Sequence, residues 1–332
     1  MSIMPGQASD RETWTLHLWS KPLLTVSRRH QPSLRERIER ISFDSYICQL
    51  SNVDSENRYI GVMAGTETSL RARELPDELI ARGRHWITLP AVAQLLGVPS
   101  EQVPPIMARL RKKGRIFSPT RGAYVPIPAE YRSWGAVPAA HFVDPLMAQL
   151  NHPYYVGYLS AAEVHGATHQ HPQVFQVVTT ARVRNRSFGR VSLEFIKDVD
   201  AADRPVVVVN TPTGTMRVAT PEVTLLDLVA SPRHGGGLSN VATVAADLIA
   251  SGLAPDEVAR AAGSYPIAVV QRCGWILDHV ARLIGATIVS DSLAVLAQAR
   301  VQPAALDAGG PRSGDLDPRW NVVVNADIEP DL

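Results

Sequence analysis

The chain has 332 residues, 45% of them apolar and 20% charged, a balance that suits folded domains and excludes a chain disordered throughout. Its 33 Lys and Arg stand against 32 Asp and Glu, so the net charge of +1 by itself points to no class of partner. Two cysteines, Cys48 and Cys273, make neither a disulfide framework nor a zinc motif, and no apolar run approaches the ~18 residues that span a bilayer. The N-terminus lacks the apolar core of a signal peptide, so a cytoplasmic protein without a membrane partner is expected, long enough for two domains.

In chain order, residues 1–62 are poorly patterned: Leu16, Leu18, Leu23 and Leu24 follow no period, and only Ser33 to Arg40 suggests a helical turn or two. Two readings stand, a genuine extension or a start at Met63. From Thr68 the pattern firms. Leu70, Leu75, Leu79 and Ile80 predict a helix ending near Gly83, and a second helix begins at Thr88 with Pro90 in its first turn and Gly97 closing it. Ser100 is placed as the N-cap of a third helix running to Lys113, and Ile116-Phe117 and Ala123-Tyr124-Val125 form a hairpin across Pro119 to Gly122.

That order is the order of a winged helix-turn-helix, assigned to residues 63–132. Val103, Ile106, Met107 and Leu110 make the buried stripe of the third helix. Its other face carries Glu101, Pro105, Ala108 and Lys112, flanked by Gln102 and Arg109 and small enough in the middle to approach a groove, with Ser100 at the helix start also assigned to DNA. Gln102 can reach a base edge, Arg109 and Lys112 bases or phosphates, and Arg121 at the hairpin tip the backbone or minor groove. Charge agrees: residues 71–132 hold 11 basic and 5 acidic side chains, a balance of +6, whereas residues 133–332 hold 14 and 19. Double-stranded DNA is the expected partner. Pro105 sits awkwardly deep and either removes a helix bond or moves the helix start.

Pro126 to Pro128 and Trp134 to Pro138 read as a linker. Beyond it, Ala139–Leu150 and Tyr154–His165 are predicted helical, and strands are predicted at Val174–Thr180, Val191–Ile196, Val206–Asn210 and Met216–Ala219. Helices follow at Pro221–Ala230, Leu238–Ile249 and Pro266–Ile284, with a last strand at Trp320–Val324. The fold class is therefore α+β, an N-terminal winged helix followed by a mixed α+β domain with a small, mainly antiparallel sheet. Between two strands, Arg182, Arg184 and Arg186 share parity, with Arg190 close behind; an extended backbone puts the three on one face, as a second DNA contact or as a solvated hairpin.

Three stretches of this second domain, in order, carry a resemblance. Leu159 to Thr168, Thr220 to Leu228 followed by Gly235-Gly236-Gly237-Leu238, and Arg319 to Asn325 are similar to the C-terminal domain of AbiEi-type antitoxins. With the upstream module the resemblance spans roughly residues 68–330 and makes 133–332 the C-terminal antitoxin domain. It implies a member of an abortive-infection toxin–antitoxin operon that represses its own promoter at inverted repeats. It also implies neutralisation of a nucleotidyltransferase-like toxin encoded beside it, without need of a stable complex.

No catalytic, cofactor or metal residue is assigned. His165, His169 and His171 near Glu163 read as a helix end and polar loop rather than as metal ligands. Thr220, Pro221, Glu222 and Asp227 suggest acid–base chemistry, but a helix cap formed by Thr220, Pro221 and Glu222 explains most of that pattern. Asp198-Val199-Asp200 lacks the turn a nucleotidyltransferase needs before it, and Glu194 to Lys197 is one residue too long for a nuclease Glu-x-Lys. A non-enzymatic antitoxin is expected; the alternative is a winged-helix regulator whose second domain senses a ligand or acts as an unrecognised enzyme.

Overall fold

The computed structural model describes residues 70–168, 172–288, 291–298 and 302–332. The 1–62 extension, Met63, His169 and His171 lie outside the described residues.

The first helix, α1 (Leu75–Ala81), carries Pro76 in its first turn. A proline has no N–H and clashes deeper in a helix, so the helix starts at Leu75 and leaves out Leu70, the first residue of the expected pattern. After β1 (Ile87–Thr88), α2 (Leu89–Leu96) again opens on a proline and ends on Gly97 in the left-handed region. Ser100–Gln102 form a 3₁₀ turn, and α3 spans Val103–Lys112. Ser100 is thus not the cap; that position falls to Gln102, whose side chain makes no capping bond. The later start puts Pro104 and Pro105 in the first turn, where no intrahelical donor is missed, and resolves the difficulty of Pro105. β2 (Ile116–Phe117) and β3 (Ala123–Pro126) complete a sheet ordered β1-β3-β2. Leu75, Leu79, Val92, Val103, Met107 and Leu110 form its small core.

The segment 126–138 is not a solvated linker. Ile127, Ala136 and Val137 are buried in a second, larger core, together with Phe117 and Val125 from the hairpin. Prolines signal the absence of helix and ladder here, but they say nothing about burial.

That larger core lies on a six-stranded sheet. After α4 (Val143–Leu150), the segment expected as one helix from Tyr154 divides into β4 (Tyr154–Val156) and α5 (Tyr158–Val164). All three residues of β4 are buried, as befits an aromatic and β-branched run covered on both faces. The break falls at Gly157, and Tyr158 takes a positive φ of 53°. There follow β5 (Phe175–Thr179), β6 (Arg186–Phe188), β7 (Val191–Lys197), β8 (Val206–Thr211) and β9 (Gly214–Ala219). The sheet order is β6-β7-β5-β4-β9-β8, with antiparallel pairs β6·β7, β5·β4 and β9·β8 and parallel pairs β7·β5 and β4·β9. It is therefore mixed.

Helices α6 (Pro221–Ala230), α7 (Leu238–Ala250), α8 (Pro255–Ala262) and α9 (Ile267–Leu283) pack on one another and on the sheet, followed by α10 (Asp291–Ala297). Thr220 caps α6, accepting from the Val223 N–H, and Pro221 opens it, as its sequence implies. A last small sheet, β10 (Ala304–Ala305), β11 (Asp315–Asp317) and β12 (Val322–Val324), is ordered β10-β12-β11. Trp320, between β11 and β12, is buried against α9.

Candidate nucleic-acid interface and a buried acidic centre

The outer face of α3 and the hairpin tip enclose an open groove of about 340 Å³, lined by Ala108, Arg111, Ser118, Arg121 and Tyr124 among others. Ser100, Gln102, Arg109, Lys112 and Arg121 are all exposed, while Val103, Met107 and Leu110 are buried beneath. Among the described residues, no carboxylate pairs with Arg109, Arg111, Lys112, Lys113 or Arg121. Of the module's other arginines, Arg73, Arg82 and Arg115 pair with Glu74, Glu78 and Asp77, while Arg71, Arg84 and Arg132 pair with no carboxylate among the described residues. Five unpaired cations thus lie together on α3 and the hairpin tip, the arrangement that displaces counterions from a phosphate backbone.

The second arginine group divides. Residues 182–185 have no regular structure, and Arg182 and Arg184 are exposed. Arg186 opens β6, is only half exposed, and donates from Nη1 to the Pro119 carbonyl at 2.5 Å. The three do not form one solvent-facing row, because the parity rule needs a continuous strand and the strand begins only at Arg186.

The acidic motifs of the second domain are engaged structurally. Arg204, 6% exposed, donates from Nε to Asp198 Oδ2 at 3.0 Å and has Asp200 Oδ2 at 3.7 Å from Nη2. Glu194 accepts from Gln176 Nε2 and lies 3.3 Å from His234 Nδ1. His165 Nε2 meets the Ala219 carbonyl at 2.7 Å and ends α5.

Sequence reasoning missed the centre that these contacts surround. Asp227 projects from α6 into the core and is 4% exposed. Its Oδ2 accepts from the Tyr155 hydroxyl at 2.9 Å and its Oδ1 from the Tyr265 hydroxyl at 2.7 Å. The Arg204 guanidinium lies 3.7 Å over the Tyr265 ring. Burial pushes the Asp227 carboxyl up to about 7, against the opposing pull of the two hydroxyl bonds and of Arg204. Burial first, then the nearby Asp227 charge, pushes both phenols far upward, so they remain donors at every ordinary pH. An Asp inside the otherwise apolar stretch Val223–Ala230 was the available signal; its partners, scattered over positions 155, 204 and 265, gave none.

Residues 155–279 match the family model of the AbiEi antitoxin C-terminal domain. Comparison with curated proteins finds no sequence match. Among solved structures, the crystal structure of the RV2827C protein from Mycobacterium tuberculosis is similar at a TM-score of 0.53 and 17% sequence identity, over 78% of this chain and 94% of that one. At that identity the likeness is one of fold. The matched segment contains Tyr155, Arg204, Asp227 and Tyr265 as well as the β6–β7 hairpin. Residues 155–279 are thus similar to the C-terminal domain of AbiEi-type antitoxins, which supports an antitoxin role in a toxin–antitoxin system.

Proposed function

We propose that this antitoxin binds double-stranded DNA through residues 63–132, acting as a winged helix-turn-helix, and represses its own operon at inverted repeats. In the same reading residues 133–332 neutralise a nucleotidyltransferase-like toxin encoded beside it, in the cytoplasm, by binding rather than by catalysis. The observation that carries the proposal is the unpaired cationic face of α3, with Arg121 across the groove, on a chain that also holds an antitoxin domain. Gln102 and Arg109 read bases in the major groove, Lys112 and Arg121 hold phosphates, and Ser100 lies at the backbone where α3 enters. Arg182 and Arg184 extend the phosphate contact.

The test is a titration of a duplex from upstream of the protein's own gene over a range of salt. Neutralising ~5 phosphates gives a slope of log K on log salt of about −4 to −5. Gln102→Ala and Arg109→Ala each weaken specific binding by about 1–3 kcal/mol, whereas Arg121→Ala weakens all sequences alike and reduces the slope by about one. A flat salt response, or unchanged affinity in all three variants, would overturn the DNA reading.

The two roles separate by point substitution rather than by truncation, because cutting near residue 132 exposes Phe117, Val125 and Ile127, which sit in the larger core. Arg109→Ala is expected to lose repression of a promoter reporter while still protecting cells that express the toxin. Loss of protection in step with repression would defeat this division.

A further inference from the structure

The wing turn is held from outside its own module. Within the turn, the Ser118 hydroxyl contacts the Thr120 and Ala123 carbonyls at 2.9 and 2.8 Å. Pro119 has no N–H, and its carbonyl accepts from Arg186 of β6 at 2.5 Å. Next to it, Phe117 of β2 meets Phe188 of β6 at 5.3 Å between ring centroids, and both meet Phe142, at 5.1 and 5.9 Å. These are edge and tilted contacts, the favourable geometries for aromatic rings. The far end of β6 is fixed as well. The Arg190 N–H donates to the Trp134 carbonyl at 2.8 Å, and a Cβ at Gly189 would overlap that carbonyl, so the two backbones touch.

We propose that Arg186 and Phe188, in the antitoxin domain, are positioning residues for the wing: they set where Arg121 meets DNA, and Arg186 does so without contacting DNA itself. The inference rests on the DNA reading above. Arg186 is the one member of its arginine group drawn off the surface, and its guanidinium lies 6.0 Å from the Phe195 ring centroid while Nη1 is bonded to the wing. The acceptor, Pro119, is two residues from Arg121 along a short turn, so a displacement at Pro119 is carried to the tip. The β1-β3-β2 sheet alone gives the turn little support, since β2 offers only Ile116 and Phe117 to the ladder.

Counterion release separates positioning from contact, because each phosphate neutralised contributes about 0.9 to the salt slope. The full-length chain is titrated against the duplex from upstream of its own gene, across salt, as wild type, Arg186→Met, Arg186→Lys and Phe188→Leu. Arg186→Met is expected to bind about tenfold more weakly, the scale of one lost hydrogen bond from a charged donor, with the slope reduced by no more than in Arg121→Ala and not reduced further when the two are combined. Arg186→Lys, which keeps a donor, recovers most of the loss. Phe188→Leu weakens binding about threefold in the same manner, a modest loss of aromatic contact, and provides the measurement if Arg186→Met does not fold. In parallel, hydrogen exchange without DNA is expected to quicken at Thr120 to Gly122 in Arg186→Met and at no distant site.

Unchanged affinity in Arg186→Met overturns the proposal, and so does a further fall of about one in the slope when Arg186→Met is added to Arg121→Ala, which makes Arg186 a phosphate contact in its own right. If wild type binds no better than Arg109→Ala, it is the DNA reading that fails. Exchange at Thr120 to Gly122 then decides alone whether Arg186 holds the wing, and unchanged exchange there defeats it.

Discussion

Asp227→Asn is expected to remove a fall in stability of about 4 kcal/mol that the wild-type chain undergoes as pH rises from about 4 to about 7. The sign follows from the direction of the shift. Burial raises the folded carboxyl from its ordinary 3.8 to about 7, so between those values the folded chain holds a proton that the unfolded chain has released. Stability then declines with rising pH, and above the folded value the whole cost of an ionised, buried Asp227 is present. At pH 7 and above, the tyrosine hydroxyls and Arg204 reduce that cost without cancelling it. Asn has nearly the same shape and does not ionise. It can accept from one tyrosine hydroxyl through Oδ1 and donate to the other through Nδ2, leaving no buried polar atom unpaired. Urea unfolding of both proteins at about pH 4.5 and about pH 8 makes the comparison, and roughly 3 kcal/mol of the effect falls in that window. An Asn variant that differs from wild type by the same amount at both pH values would show that Asp227 does not titrate there. The converse substitutions, Tyr155→Phe and Tyr265→Phe, each remove a bond that favours the carboxylate and should steepen the loss.

The second large effect is expected at Gly274, in the middle of α9. Replacing an ordinary helical glycine by alanine stabilises a helix by up to about 1 kcal/mol. Here a Cβ would fall on Cε3 and Cζ3 of Trp320, well inside van der Waals contact. The indole cannot swing away cheaply: its Nε1 donates to Asp278 Oδ2 at 2.7 Å, one turn along the same helix, and the residue is 1% exposed. Trp320 also leads directly into β12, the central strand of the last sheet, so a displaced ring pulls that sheet with it. Overpacking of a rigid core costs about 1–3 kcal/mol and outweighs the gain in helix propensity, so Gly274→Ala should be destabilised by about 2 kcal/mol net. Trp320→Leu removes the obstacle. In a double-mutant cycle followed by thermal unfolding the two substitutions should couple by about 1–3 kcal/mol, with the double variant more stable than the separate losses imply. A Gly274→Ala protein as stable as wild type would contradict the contact.

What could be read from the sequence was whatever local chemistry decides. Prolines opening α2 and α6, Gly97 ending α2, and the alternating stripe of α3 each act within a few residues and are found where the sequence implies. The same local logic erred where tertiary context decided. Tyr154 to Val156 continues an apolar pattern into α5, and only the neighbours β5 and β9 make it a central strand. Pro126 to Pro138 has the composition of a linker, yet its few apolar side chains are buried. The candidate interface was legible because one helix and one turn supply it. The Asp227 centre was not, since Tyr155 reaches it from a strand and Arg204 and Tyr265 from two separate loops.

Phe117 belongs by sequence to the hairpin of the N-terminal module and by packing to the core of the antitoxin domain. A boundary that runs through packed side chains, rather than through solvated chain, leaves neither part able to melt without opening a cavity in the other. Heat, denaturant or a protease acting on the opened chain would then remove both activities in one event. Under the proposed function, a cell holding this protein could not retain a repressor whose antitoxin domain had been lost, nor an antitoxin freed from its DNA-binding part. The ratio of the two activities would be fixed molecule by molecule, and degradation would derepress the operon in proportion to the protection it withdraws.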